Sequence, residues 1–186
     1  MELFSDLWLP ILIAAVLVFV VSSVMHMMLP IHKGDYRKLA NEPELLAAMR
    51  THSIAPGTYC FPCPSSMKDM AAPEMIEKYQ QGPVGLMTIL PNGVPTMGKS
   101  LVLWLLYTAV ISVFVGYLAT MGLDRGAAAM LVFRVTTTAA LLAYGVPHLH
   151  DAIWKGQSWI ITLKYILDGV IYSVVTGGVF VLLWPT

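Results

Sequence analysis

Apolar residues in this chain fall into four long unbroken runs: Leu7–Leu29, Ser100–Met121, Ala127–Pro147 and Ser158–Trp184. Neither the period of two of a half-buried strand nor the narrow apolar stripe of a soluble helix fits runs that are apolar on all sides. About 20 consecutive apolar residues cross the hydrocarbon core of a bilayer as a helix. The pattern therefore predicts an all-α membrane protein with four transmembrane helices. Its three segments are a first span within residues 1–29, a loop domain over 30–99, and three further spans within 100–186. The N-terminal run carries Glu2 and Asp6 before it and its basic residues after it, the reverse of a signal peptide, so it reads as a retained anchor.

The polar stretch 30–99 has its own punctuation. Glu42-Pro43-Glu44 is a helix start, with Pro in the first turn and acids at the positive end of the helix dipole; Leu45, Leu46 and Met49 follow at helical spacing. A second short helix is predicted from Pro73 through Gln81, stopped by Gly82-Pro83. Thr58–Phe61 and Leu86–Leu90 read as strands that pair as a small hairpin. Seventy residues this rich in Pro and Gly build little core alone, so the segment is expected to lie against the membrane surface.

Composition sharpens this picture. Hydrophobic residues make up 57% of the chain and charged ones 12%, against about 25% charge in a soluble domain. Eleven basic and eleven acidic residues cancel, which leaves no basic surface for nucleic acid. Lys33, Arg37, Lys38, Lys99 and Lys155 flank the spans on one side and Arg125 on the other. The positive-inside rule then places the loop domain in the cytoplasm and both termini on the periplasmic side. Trp8, Trp104, Trp154, Trp159 and Trp184 stand near span ends, an interfacial anchoring pattern.

Three charges stand inside the apolar runs: Arg134, Lys164 and Asp168. A charge at mid-bilayer costs at least about 2.5 kcal/mol and calls for a partner. Lys164 and Asp168 share a helix face, while Arg134 and Asp168 stand roughly 9 Å apart along the bilayer normal at 1.5 Å per residue. An Arg134–Asp168 pair with Lys164 reaching the inner interface is therefore expected. The alternative is a proton or ion relay centred on Asp168. Small residues recur every four positions in two spans, at Thr108, Ser112, Gly116 and Thr120, and at Gly169, Ser173 and Gly177. Such faces pack helices closely, within one chain, against a second copy or against other membrane subunits.

Metal-ligating side chains gather on the expected inner side. His26 lies in a Met-rich span end, His32 follows it, and His148 and His150 close the third span; Cys60 and Cys63 form a Cys-x-x-Cys in the loop domain, with His52 upstream. Imidazole and thiolate suit zinc or copper, and two histidines on different helices suit haem. A Cys-x-x-Cys alone is half of a zinc site, or a dithiol pair outside any thioredoxin-like strand–helix context. Gly93-x4-Gly98-Lys99-Ser100 formally fits a phosphate loop, but Ser100 opens a membrane span and no soluble sheet is left to support it. No catalytic set is complete, so the chain reads as a non-enzyme, with an accessory or structural component of a membrane assembly as the leading expectation. A metal- or haem-handling membrane protein is the second, and a small transporter using Asp168 the third.

The stretch Gly82-Pro83-Val84-Gly85 through Pro91-Asn92-Gly93 to Met97-Gly98-Lys99 resembles a group of uncharacterised small bacterial integral membrane proteins. So does the stretch Asp168-Gly169-Val170-Ile171-Tyr172 through Thr176-Gly177-Gly178 to Leu183-Trp184-Pro185. The resemblance extends over most of the chain and leaves out the cysteine pair. It implies a bacterial inner membrane and brings no activity or catalytic residues.

Overall fold

A computed structural model describes residues 2–186. The chain is mostly helical and divides into two compact units. One is the chain up to Asp35 together with Thr96–Thr186; the other is Tyr36–Pro95. The boundary differs from the expected one at Pro30: the turn that carries His32 and Asp35 belongs to the helical unit.

The helical unit opens with α1 (Glu2–Asp6) and α2 (Trp8–Met27). A short 3-10 turn, Pro30–His32, follows. The second unit contributes α3 (Glu42–Thr51), strand β1 (Gly57–Phe61), α4 (Pro73–Gln81) and strand β2 (Gly85–Ile89). The chain then returns as α5 (Met97–Thr120), α6 (Ala129–Tyr144), α7 (His148–Lys155) and α8 (Trp159–Leu182). Four segments are long and apolar enough to cross a membrane: α2, α5, α6 with α7, and α8. The third run breaks at Gly145–Pro147, where proline lacks the N–H that would continue α6. His148 and His150 thus begin a short helix after the break, within the last turns of the third membrane-length segment, which runs to Lys155.

In the second unit β1 and β2 pair antiparallel, with Tyr59 opposite Met87 and Cys60 opposite Leu86. The expected helices at Glu42 and Pro73 are present, each with proline in its first turn. None of their residues is buried, in keeping with the small core that such a segment builds. Gly98, Lys99 and Ser100 form the first turn of α5, so the formal phosphate-loop match is a helix start.

Packing in the helical unit rests on small residues. Thr108 on α5 donates to the Ala15 carbonyl of α2 at 3.1 Å, and a methyl added at Gly116 would come within 3.2 Å of Ile11. On α8, Gly169 lies on the backbone of Gly145, and Gly177 against Thr137 and Phe133 of α6. Ser112, Gly116, Gly169, Ser173 and Gly177 are all buried, so both small-residue faces are used within the chain. Phe180, Val18, Val115 and Val132 fill the interior. Outward-facing Leu12, Leu106, Phe114, Leu163 and Leu167 stay exposed, as side chains facing lipid do. At one end of the bundle Arg125 pairs with Asp6, and the Trp184 indole donates to the Asp124 carbonyl. The opposite end holds the polar cluster described next.

Candidate metal centre

The sequence around residue 30 explains how a second histidine reaches the first. Leu29 is extended before Pro30, as a residue preceding proline must be, and α2 stops. The 3-10 turn folds the chain back, so the His32 ring stacks on His26 with centroids 4.2 Å apart. Gly34 takes φ +106°, a conformation that favours glycine. It brings Asp35 round to His32, whose Nδ1 lies 2.8 Å from the Asp35 carboxylate.

From α8 comes Asp168, 2% exposed. Its Oδ2 lies 2.9 Å from His32 Nε2 and 3.3 Å from His26 Nε2. One ligand atom from each of the three residues lies within 4.8 Å of the others. Lys164, one turn before Asp168, donates to Asp35 at 2.5 Å. That ammonium holds the Asp35 carboxyl below its usual range, with His32 adding to the effect. Tyr165 stands beside the histidines, its ring 5.2 Å from His32 and 5.0 Å from His148.

Hydrogen bonding makes this arrangement unusual. His32 Nδ1 faces Asp35, and a neutral imidazole that donates there presents a lone pair at Nε2. That nitrogen is buried and points at no aligned acceptor, although an Asp168 oxygen is 2.9 Å away. Asp168 Oδ2 is within ion-pair distance of both imidazoles, and Oδ1 has no partner. A ring nitrogen and a carboxylate oxygen this close share either a proton or a metal ion. A metal ion bound at about 2.1 Å would hold neighbouring ligands about 3.0–3.4 Å apart, close to the 2.9 and 3.3 Å from Asp168 to the two imidazoles, which are also charge-assisted hydrogen-bond lengths. Two imidazoles and one carboxylate form a ligand set for iron(II) or zinc that leaves further positions open. Asp35 and Lys164 supply the outer support that orients a metal-bound histidine.

The expected site residues separate accordingly. His26 and Asp168 come together. Lys164 joins the cluster through Asp35, not through the bilayer interface. Arg134 does not pair with Asp168: it lies on the exposed side of α6, two residues from each of the buried Val132 and Thr136. The structure thus corrects the expected charge network, because the histidines, and not an arginine, face Asp168. His148 reaches the cluster only through Tyr165, and His150 is exposed with Asp151 at 3.8 Å. Cys60 and Cys63 are free and exposed in the other unit, where a hydrogen bond with Cys60 pushes the Cys63 thiol above its ordinary range. Among the described residues no second group of three such ligands forms. The sequence placed His32 on the same side as His26 without assigning it to the site, and Asp35 was not singled out. Their signal was the Pro30…Gly34 turn immediately after a span, which reverses the chain at the depth of His26.

His26 and Asp168 also line a cavity of about 700 Å³ that extends between α2, α5 and α8. No family model, curated protein or solved structure matches the chain.

Proposed function

We propose that this is an integral membrane protein that binds one divalent metal ion through His26, His32 and Asp168. The observation that carries the reading is the convergence of two imidazole Nε2 atoms on one oxygen of the buried Asp168 carboxylate. The accessory-subunit reading loses its main support, since the small-residue faces that suggested it are consumed inside the chain. The test is a titration of chelator-stripped protein, purified without a polyhistidine tag, with cobalt(II). One equivalent should saturate a visible d–d absorption, and zinc should displace it. No band, or no defined stoichiometry, would overturn the proposal.

A second reading follows from the continuous string Asp168–His32–Asp35–Lys164, which has the connectivity of a proton path. Proton flux into proteoliposomes that survives chelation and vanishes in Asp168→Asn favours it over the metal.

The resemblance and the lysine–arginine asymmetry support a bacterial inner membrane, with both termini periplasmic and the metal cluster at the cytoplasmic face. The chain's two cysteines are both exposed in the connecting unit, which makes them topology reporters. A membrane-impermeant maleimide should leave intact spheroplasts unlabelled and react only after permeabilisation. Labelling of intact spheroplasts would invert the orientation.

A further inference from the structure

The cavity beside the cluster has a lining that specifies an occupant. Trp104, Tyr107, Tyr144 and Tyr172 close a ring of aromatic contacts, with centroid separations of 5.2, 6.2, 5.7 and 6.3 Å around the circuit. The Trp104 indole is held by a hydrogen bond to Ser22 at 2.7 Å. Met27, Met97 and Leu103 also line the cavity, and each is more than half exposed. An entrance built from exposed apolar side chains on helices of membrane-spanning length faces lipid, and admits molecules dissolved in the bilayer.

Hydroxyls and imidazoles recur in the lining, and the Tyr144 hydroxyl is among the buried ones without a hydrogen-bond partner. Tyr172 is 3% exposed and its hydroxyl has no hydrogen-bond partner; Asp168, one turn earlier on the same helix, has an unpartnered Oδ1. A buried donor or acceptor left unmade is costly, so the pair favours a ligand that accepts from the Tyr172 phenol and whose reduced form can also donate to the Asp168 carboxylate. The two residues stand four apart on α8, share one helix face and both line the cavity. No Lys or Arg is among the described residues that line the cavity. In the metal-free site, phosphate and fatty-acid carboxylate headgroups therefore find no lysine or arginine and meet Asp168.

We infer that the cavity binds a neutral, membrane-soluble aromatic with oxygens at opposite ends of its ring, the quinone–quinol class, with the ring against the Trp104–Tyr172 wall and the tail leaving past Met27 and Met97. Tyr172 and Trp104 are not ligands of the metal, and the site stands without it.

The test uses metal-stripped full-length protein in phosphatidylcholine nanodiscs, titrated with a decyl-tailed benzoquinone while tryptophan emission is read. A saturable quench is expected, absent in Trp104→Phe and shifted to about tenfold higher quinone in Tyr172→Phe. Decanoic acid should not reverse it. Quenching that rises linearly with quinone in the wild-type protein, an unchanged half-point in Tyr172→Phe, or displacement by decanoic acid would each overturn the inference. Stripping the metal beforehand keeps this result separate from the cobalt titration.

Discussion

Replacing Asp168 with Ala should eliminate stoichiometric metal binding while leaving a folded protein. Asp168 is the sole carboxylate of the ligand set and the group on which both imidazoles converge. Without it, two stacked neutral histidines remain, with no negative charge to offset a divalent ion, and the affinity should fall beyond the range of a cobalt titration. Folding should not suffer in parallel. The imidazoles left behind can lose their proton, so the substitution buries no unpaired charge. A monodisperse elution profile with no cobalt band is the expected combination. Asp35→Asn supplies the graded control. It keeps the shape of the supporting side chain but weakens its hold on His32, and loss of such outer support lowers metal affinity about 10–100-fold. Arg134→Gln should change nothing in the titration, because Arg134 lies on the exposed side of α6. If Asp168→Ala binds cobalt as the wild type does, the assigned ligand set is wrong.

The largest structural effect is expected at Gly169. A Cβ there would lie 2.4 Å from the Gly145 Cα and 2.6 Å from its nitrogen. Both are backbone atoms that no rotamer change can move aside, so Gly169→Val must separate α8 from the end of α6. Helices in a bilayer hold together by close van der Waals contact, with no hydrophobic drive to restore the fit. Overpacking a tight contact costs about 1–3 kcal/mol when side chains can adjust, and here they cannot. Gly169→Val should therefore aggregate on detergent extraction. Because Asp168 is the adjacent residue, any fraction that survives should also bind metal weakly. Two neighbours calibrate the claim. Gly177→Ala meets the Thr137 hydroxyl, a side-chain atom that can rotate away, and should be milder. Gly178→Ala meets nothing within 4 Å and should be neutral. Equal melting temperatures for the Gly169 and Gly178 variants would refute the close-contact argument.

Much of the architecture is local and was readable along the chain. The four long apolar helices follow from composition, since a run apolar on every side has few other stable forms. Helices α3 and α4 follow from the prolines and acids of their first turns, and strands β1 and β2 from short apolar runs closed by turn residues; the two pair across the intervening α4 and so form an antiparallel ladder, not the expected hairpin. Asp168 and His26 were identifiable as site residues because a charge or an imidazole within an apolar run needs a reason to be there. Depth was readable too: at 1.5 Å per residue, counting from the span ends puts Asp168, Lys164 and His26 toward the same end of the bundle.

Azimuth was not. Arg134 and Asp168 have compatible depths, but which side each helix turns inward is decided by the contacts of its whole length. On α6 the buried positions are Val132, Thr136, Ala140 and Tyr144, which puts Arg134 on the opposite side. On α8 the approach of Gly169 and Gly177 to α6 sets the rotation that buries Asp168 and Tyr172. His32 needed one step more. It lies beyond the end of its span, and only the reversal through Pro30 and Gly34 returns it to the depth of His26. Residue type and depth along the membrane normal are properties of the chain taken one residue at a time. The convergence of His26, His32 and Asp168 is a property of four helices packed together, and only the tertiary structure decides it.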